Sequence, residues 1–252
     1  MSDAIKVERD GKVLVVTFNR PEKKNALTGE MYVALNAALQ TASDDDGIAV
    51  VLIAGSGGVF TAGNDINDFA QRAAGGGGVS DSPASAFIRA LARFEKPLVA
   101  AVDGHAIGLG ATLCLHCDLV YASPAARFHM PFVDLGLVPE AGSSLLVPQR
   151  LGRARASQYL LLGESFDAEV ARADGLVNTV VDAASLHAHA LAKAKALAAK
   201  PRQALLATRR LLRGDPAALT ARMGEEVDLF TAGLKSPEAR AAFMAFMQRS
   251  KG

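Results

Sequence analysis

Two almost unbroken apolar runs, Ile48 to Ala54 and Leu98 to Val102, each lead into a turn containing glycine, and they constrain the fold of this chain more than any other feature. A strand with one solvated face alternates apolar and polar residues. A run without alternation belongs to a strand buried on both faces, as in a parallel sheet covered by helices. Lys12 to Phe18 is a third, β-branched run, and Ile5 to Arg9 can pair with it as a hairpin across Asp10-Gly11. Thr28 reads as the N-cap of a helix with Glu30 in its first turn, and Met31, Leu35, Leu39 and Ala42 share one face of it. Strands separated by helices predict an α/β chain built from β-α repeats around a largely parallel sheet. At 252 residues the chain is long enough to bury one large core.

Between these elements, Asn19 to Asn25 is a polar loop. Ala73 to Ser85, with four consecutive glycines at 75 to 78, predicts a mobile loop beside a binding cleft. Past Pro148 the pattern turns helical. Leu151 to Leu162, Ala183 to Ala199, Pro201 to Leu212, Pro216 to Leu234 and Pro237 to Gln248 read as helices, and Leu176 to Val181 as one short strand. The last helix groups Phe243, Phe246 and Met247 on one face, which must pack on the chain's own core or on a neighbouring subunit.

Charge narrows the choice of partners. With 27 basic and 26 acidic residues the net charge is +1, which gives no electrostatic case for nucleic acid or an anionic membrane. An anionic ligand has to be held by local groups. The chain opens Met1-Ser2-Asp3-Ala4 without an apolar leader, no apolar run is long enough to span a bilayer, and Ser250-Lys251-Gly252 is not a peroxisomal ending. A cytoplasmic protein is expected. Cys114 and Cys117 form a C-x-x-C pair, but they fall late in the apolar run that begins Ala111-Thr112-Leu113, and no second pair exists. Redox pairs open a helix and zinc sites need further ligands, so packed, inert thiols are expected here.

Three glycine-rich turns carry the chemistry. They are Val59-Phe60-Thr61-Ala62-Gly63-Asn64-Asp65-Ile66, Val102-Asp103-Gly104-His105-Ala106-Ile107-Gly108-Leu109-Gly110, and Leu135-Gly136-Leu137-Val138-Pro139-Glu140-Ala141-Gly142-Ser143-Ser144. Small residues at a strand-to-helix turn let a substrate approach the backbone and leave amide N–H groups unpaired at the helix start. Two such amides aimed at one carbonyl oxygen make an oxyanion hole. The second turn is no dinucleotide loop, because glycines at 104, 108 and 110 do not fit G-x-G-x-x-G.

At these turns the sequence resembles the crotonase (enoyl-CoA hydratase/isomerase) superfamily. The resemblance runs from Asn19-Arg20-Pro21-Glu22-Lys23-Lys24-Asn25-Ala26-Leu27 through FTAGNDI, AVDGHAIGLG, Cys117-Asp118 and LGLVPEAGSS to about Val181. It implies a spiral of β-β-α turns with the acyl-CoA site over residues 1–195. It further implies a helical C-terminal region over 196–252 that forms trimers, commonly dimers of trimers. The implied substrate is an acyl-CoA thioester, with coenzyme A part of the substrate and no separate cofactor. By position, the oxyanion amides are those of Asn64, after Ala62-Gly63, and of Leu109, after Gly108. Leu109 replaces the glycine common there but keeps its N–H. The resemblance places Lys23, Lys24 and Ala26 near the CoA nucleotide and Ala62 and Asp65 near its adenine end, with Gly63, Ile66 and Gly108 also lining the substrate site.

Within such a family the side chains, not the fold, choose the reaction. Hydratases of this family use two glutamates, and the corresponding positions here are Thr112 and Phe132, the latter in the strand before the third turn. Neither exchanges a proton near pH 7, so both are expected to line the cavity. One acid remains, Glu140, and an acid there is similar to the peroxisomal type of Δ3-Δ2-enoyl-CoA isomerase, which works with a single glutamate. Moving a double bond from C3 to C2 takes a proton from C2 and returns one to C4, which a single base can do without a metal or redox cofactor. An apolar lining should raise the glutamate's pKa towards neutrality. As an alternative role, Glu140 could simply favour a helix N-terminus. His105 is expected to be a partly buried spacer, Asp134 and Asp68 surface or capping residues, and Asp118 a partner for buried backbone donors. The alternatives in function are a hydratase or other crotonase reaction, and a catalytically silent acyl-CoA binder, which would need no acid at Glu140.

Overall fold

In the computed structural model, which describes residues 3–65 and 79–249, the expected hairpin forms between β1 (Ile5–Asp10) and β2 (Val13–Phe18). Helix α1 (Gly29–Asp44) starts at Thr28, whose side chain accepts from the Met31 N–H at 3.4 Å. The apolar runs become β3 (Val50–Gly55) and β4 (Leu98–Val102). With β6 (Leu119–Ala122) and β9 (Thr179–Val180) they complete a six-stranded sheet in the order β1-β2-β3-β4-β6-β9, parallel from β2 onward.

The absence of alternation has the predicted cause. Leu14, Val16, Val51, Ile53, Leu98, Ala100 and Val102 face one cluster, which includes Met31, Leu35, Leu39 and Ala42 of α1. Val13, Val15, Val50, Leu52, Val99 and Ala101 face the other, where Leu186, Ala190 and Ala194 of α7 (Ala183–Ala198) cover them at a spacing of four.

A second, three-stranded sheet consists of β5 (His105–Ile107), β7 (Arg127–His129) and β8 (Phe166–Asp167), too short to leave a periodicity in the sequence. It turns the β-α repeats into β-β-α units. β4 and β5 precede helix α3 (Leu109–His116), and β6 and β7 precede α4 (Ser143–Leu151), each unit giving one strand to each sheet. Residue Thr61 supplies the equivalent bridge to Ala106 after β3.

Several boundaries differ from expectation. The helix anticipated over Leu151 to Leu162 is α5 (Arg153–Leu161); Leu151 ends α4, and Gly152 (φ +81, ψ 160) breaks the chain between them. Pro131, which cannot donate to a ladder, follows the end of β7, so Phe132 caps a short 3-10 turn (Val133–Leu135) and does not lie in a strand. The anticipated loop to Ser85 is already ordered at its end, where Ser82 caps helix α2 (Pro83–Arg93) by accepting from the Ser85 N–H at 3.1 Å. The four glycines at 75 to 78 lie outside the described residues. Helices α6 (Ala168–Ala173), α8 (Arg202–Arg213), α9 (Pro216–Leu234) and α10 (Pro237–Arg249) complete the chain. On α10, Phe243 packs partly buried against the main core and Ala239 is fully buried, so this face meets the chain's own body; the side chains of Phe246 and Met247 lie outside the described residues.

Candidate active site

The first two glycine-rich turns lie together at the carboxyl ends of β3 and β4. The Thr61 N–H donates to the His105 carbonyl at 2.8 Å and the Ile107 N–H to the Thr61 carbonyl at 3.0 Å. The opening loop is strapped to the same place, with Ala62 N–H on the Lys24 carbonyl (2.9 Å), Leu27 N–H on that of Gly63 (2.8 Å) and Asp65 N–H on that of Leu27 (2.9 Å). The two glycines expected to admit substrate serve different needs. Gly63, at φ +84, lies so close to the second turn that a Cβ would meet the Ile107 carbonyl oxygen at 2.8 Å. Gly108, at φ +55, faces open space.

The strapping leaves the two amides expected to face the substrate unused. The N–H groups of Asn64 and Leu109 have no acceptor among the described residues. The Asn64 amide points away from the bridge its neighbours make to Leu27, and Leu109 is the first residue of α3, where an N–H has no intrahelical partner. The Tyr32 hydroxyl donates to Asn64 Oδ1, tying that side chain to α1.

Thr112 lies three residues after Leu109 on α3 and so on the same face, one turn along. Its hydroxyl donates to Glu140 Oε1 at 2.7 Å. The threonine therefore does more than line a cavity. Glu140 as a residue keeps partial exposure, while its carboxyl group is held in the interior. Burial pushes its pKa up to about 7; the Thr112 hydrogen bond lowers it, and the charge of Glu226 raises it further. Glu140 is not the acid at the start of α4. That place belongs to Glu226 of α9, whose Oε2 accepts the Gly142 N–H at 2.6 Å and whose Oε1 accepts the Ser144 N–H at 3.0 Å and hydroxyl at 2.6 Å. His116, at the end of α3, lies 2.8 Å through Nε2 from the Ala141 carbonyl, which can only accept, so Nε2 carries the proton. Burial pushes the pKa of this imidazole down to about 4.

Glu226 was not anticipated. Its signal lies in α9, where Met223, Glu226 and Phe230 are the buried positions, putting an acid into a helix's apolar stripe. Phe132 is buried as expected, with 6% of its surface exposed. Lys23 and Lys24 are exposed, Ala26 and Ala62 partly so, and Asp65 forms an ion pair with Arg20 at 2.8 Å. Ile66 and Asp68 lie outside the described residues. His105 is exposed, against expectation, because β5 lies at the edge of its sheet, and Asp134 is on the surface. Asp118 accepts the Leu98 N–H at 2.8 Å, as expected, and also pairs with Arg209 at 2.7 Å. Cys114 and Cys117 are buried free thiols whose pKa values burial raises, that of Cys114 to about 12.

Comparison with known proteins shows the family. The family described as "Enoyl-CoA hydratase/isomerase" matches residues 8–252. Enoyl-CoA delta isomerase 2 of Rattus norvegicus is 36% identical over 252 residues, which cover 98% of this chain; the chain spans only 64% of that protein's length. The 2,3-dehydroadipyl-CoA hydratase of Escherichia coli K12 is 36% identical over 250 residues, covering 99% of this chain and 97% of the relative. Among solved structures, OdaA of Pseudomonas aeruginosa superimposes with a TM-score of 0.93 at 44% identity, over 98% of this chain and 99% of that one.

Proposed function

The chain belongs to the enoyl-CoA hydratase/isomerase family and has its crotonase-type fold, and on that premise we propose that it moves the double bond of a 3-enoyl-CoA to the 2-position with Glu140 as its only base. The observation that carries this reading is Glu140 itself, an interior carboxylate with a pKa of about 7, hydrogen-bonded to the helix whose first amide has no acceptor among the described residues. A base poised near the working pH is ionised often enough to accept a proton and acidic enough, once protonated, to give it back.

In this reading the thioester oxygen of the substrate accepts the N–H groups of Asn64 and Leu109. Glu140 removes a proton from C2, and the electrons of that bond pass to the thioester oxygen as a dienolate, which the two amides stabilise. The protonated Glu140 then returns a proton to C4 as the electrons flow back, leaving the 2-enoyl thioester and an ionised glutamate. Thr112 holds Glu140 Oε1, which leaves Oε2 to take and return the proton. Lys23, Lys24 and Ala26, with Ala62 and Asp65, serve the CoA moiety.

A hydratase is the second reading, favoured by the name of the E. coli relative. It needs two working carboxyl groups. Among the described residues Glu226 is the other carboxylate that acts on Glu140, and both of its oxygens are engaged by three donors, so it is not free to serve as a second acid. The Glu140→Gln substitution tests the proposal. Turnover of 3-enoyl-CoA should fall by about 1,000-fold, with acyl-CoA binding kept within several-fold. Retention of most of the wild-type rate would remove Glu140 from the mechanism.

A further inference from the structure

We infer that Glu226, reaching in from the C-terminal region, is a positioning residue for Glu140, holding the loop behind it with three hydrogen bonds and presenting a second carboxylate to it. The inference rests on the reading of Glu140 as the base. The loop needs holding. Ala141 and Gly142, directly after Glu140, are both left-handed, at φ +59 and +72, and a residue with a Cβ stays in that region only where its surroundings dictate it. Two side chains do so from opposite sides. The His116 Nε2–H donates to the Ala141 carbonyl, and Glu226 takes the Gly142 and Ser144 N–H groups and the Ser144 hydroxyl. Helix α9 presses directly on this loop, since a Cβ at Gly142 would meet Leu219 Cδ1 at 2.3 Å.

Glu226 is 4% exposed and has no ion pair among the described residues. Arg222, one turn earlier on its own helix, pairs with Glu225 at 3.0 Å. On the elements packed most closely against α9 the described charged side chains are Asp81, Arg89, Arg93, Arg150, Glu238 and Arg240, and none of these forms an ion pair with Glu226 or Glu140. The negative charge is held instead by the amides that open α4. Burial pushes the Glu226 carboxyl above its ordinary range, while the three donors on its two oxygens and the charge of Arg222 favour the ionised form, and in that form it makes Glu140 harder to ionise.

The test uses Glu226→Gln in the full chain and reads two quantities. The first is the titration midpoint of Glu140 in CoA-free protein, followed by infrared difference spectroscopy, with the Glu140 band identified by its loss in Glu140→Gln. The expected result is a midpoint lower by about one unit. The second is turnover of 3-enoyl-CoA at a pH where Glu140 is fully ionised, where kcat should fall about tenfold or more with KM within about twofold, because the base is misaimed but the substrate site is intact. A midpoint that stays or rises overturns the inference, whatever happens to turnover. The infrared arm needs no catalysis, so a wild type that fails to isomerise would sink the isomerase reading and leave this coupling separately measured. If the glutamine variant does not fold, Glu226→Asp keeps the charge and shortens the reach. It should hold the wild-type midpoint while lowering kcat, and a midpoint displaced downward would contradict the role assigned to the charge.

Discussion

The pKa of Glu140 balances three effects, two of which a substitution can remove one at a time. Burial raises it, the Thr112 hydroxyl lowers it and Glu226 raises it again, to about 7. With Glu140 as the proposed base, which must be ionised to act, kcat/KM should be full above this pKa and fall as pH drops through about 7. Thr112→Val removes the hydrogen bond that favours the charged form, so the acid limb should move to higher pH. A rate profile measured from pH 5 to 9 checks this, and a limb unmoved in the valine variant would show that the Thr112 contact does not tune the base. The sequence made Glu140 legible because the two hydratase positions hold Thr112 and Phe132, leaving one acid at the third turn. The hydrogen bond from Thr112 was not legible, because a threonine in an apolar helix reads as lining. Glu226 was hidden by distance, 84 positions from the Gly142 amide it accepts.

At the level of elements, the long strands and amphipathic helices were readable because their burial imposes a period. Val50 to Gly55 is apolar throughout because one set of side chains meets α1 and the other meets α7. The second sheet was not readable, since strands of three and two residues carry no period. Helix α4 escaped notice because Pro148 lies inside it and Gly152 hides its end. The strapped turns make a sharper prediction. Gly63→Ala adds a Cβ at φ +84, and the carbonyl it meets belongs to the backbone just before Gly108 and Leu109. The strain should cost about 1–3 kcal/mol and lower Tm by about 2–10 °C. Activity should drop about tenfold or more as the Asn64 and Leu109 amides move apart. Calorimetry and initial rates check both, and unchanged values would show that the turns do not depend on this close approach.

For the whole molecule, the C-terminal helices lie over the rest of the chain. Ala239 of α10 packs against Gly136, ahead of the Glu140 loop, and Glu226 of α9 enters the site. Ending the chain after Leu234 should uncover the Val133–Gly136 region and lower solubility, visible as light scattering at a concentration where the full chain stays clear. Leu211 and Leu212 on α8 are 79% and 83% exposed, and Leu161 and Leu162 are each 66% exposed, adjacent pairs that a second copy could cover. A trimer or hexamer is expected in sedimentation, and a stable monomer at micromolar concentration would contradict it. The reaction itself is tested most directly by giving the unmodified protein 3-enoyl-CoA and 2-enoyl-CoA side by side and identifying the products. The account predicts conversion of the first to 2-enoyl-CoA and negligible 3-hydroxyacyl-CoA from either. Rapid formation of 3-hydroxyacyl-CoA from 2-enoyl-CoA, at a rate comparable to isomerisation, would contradict it.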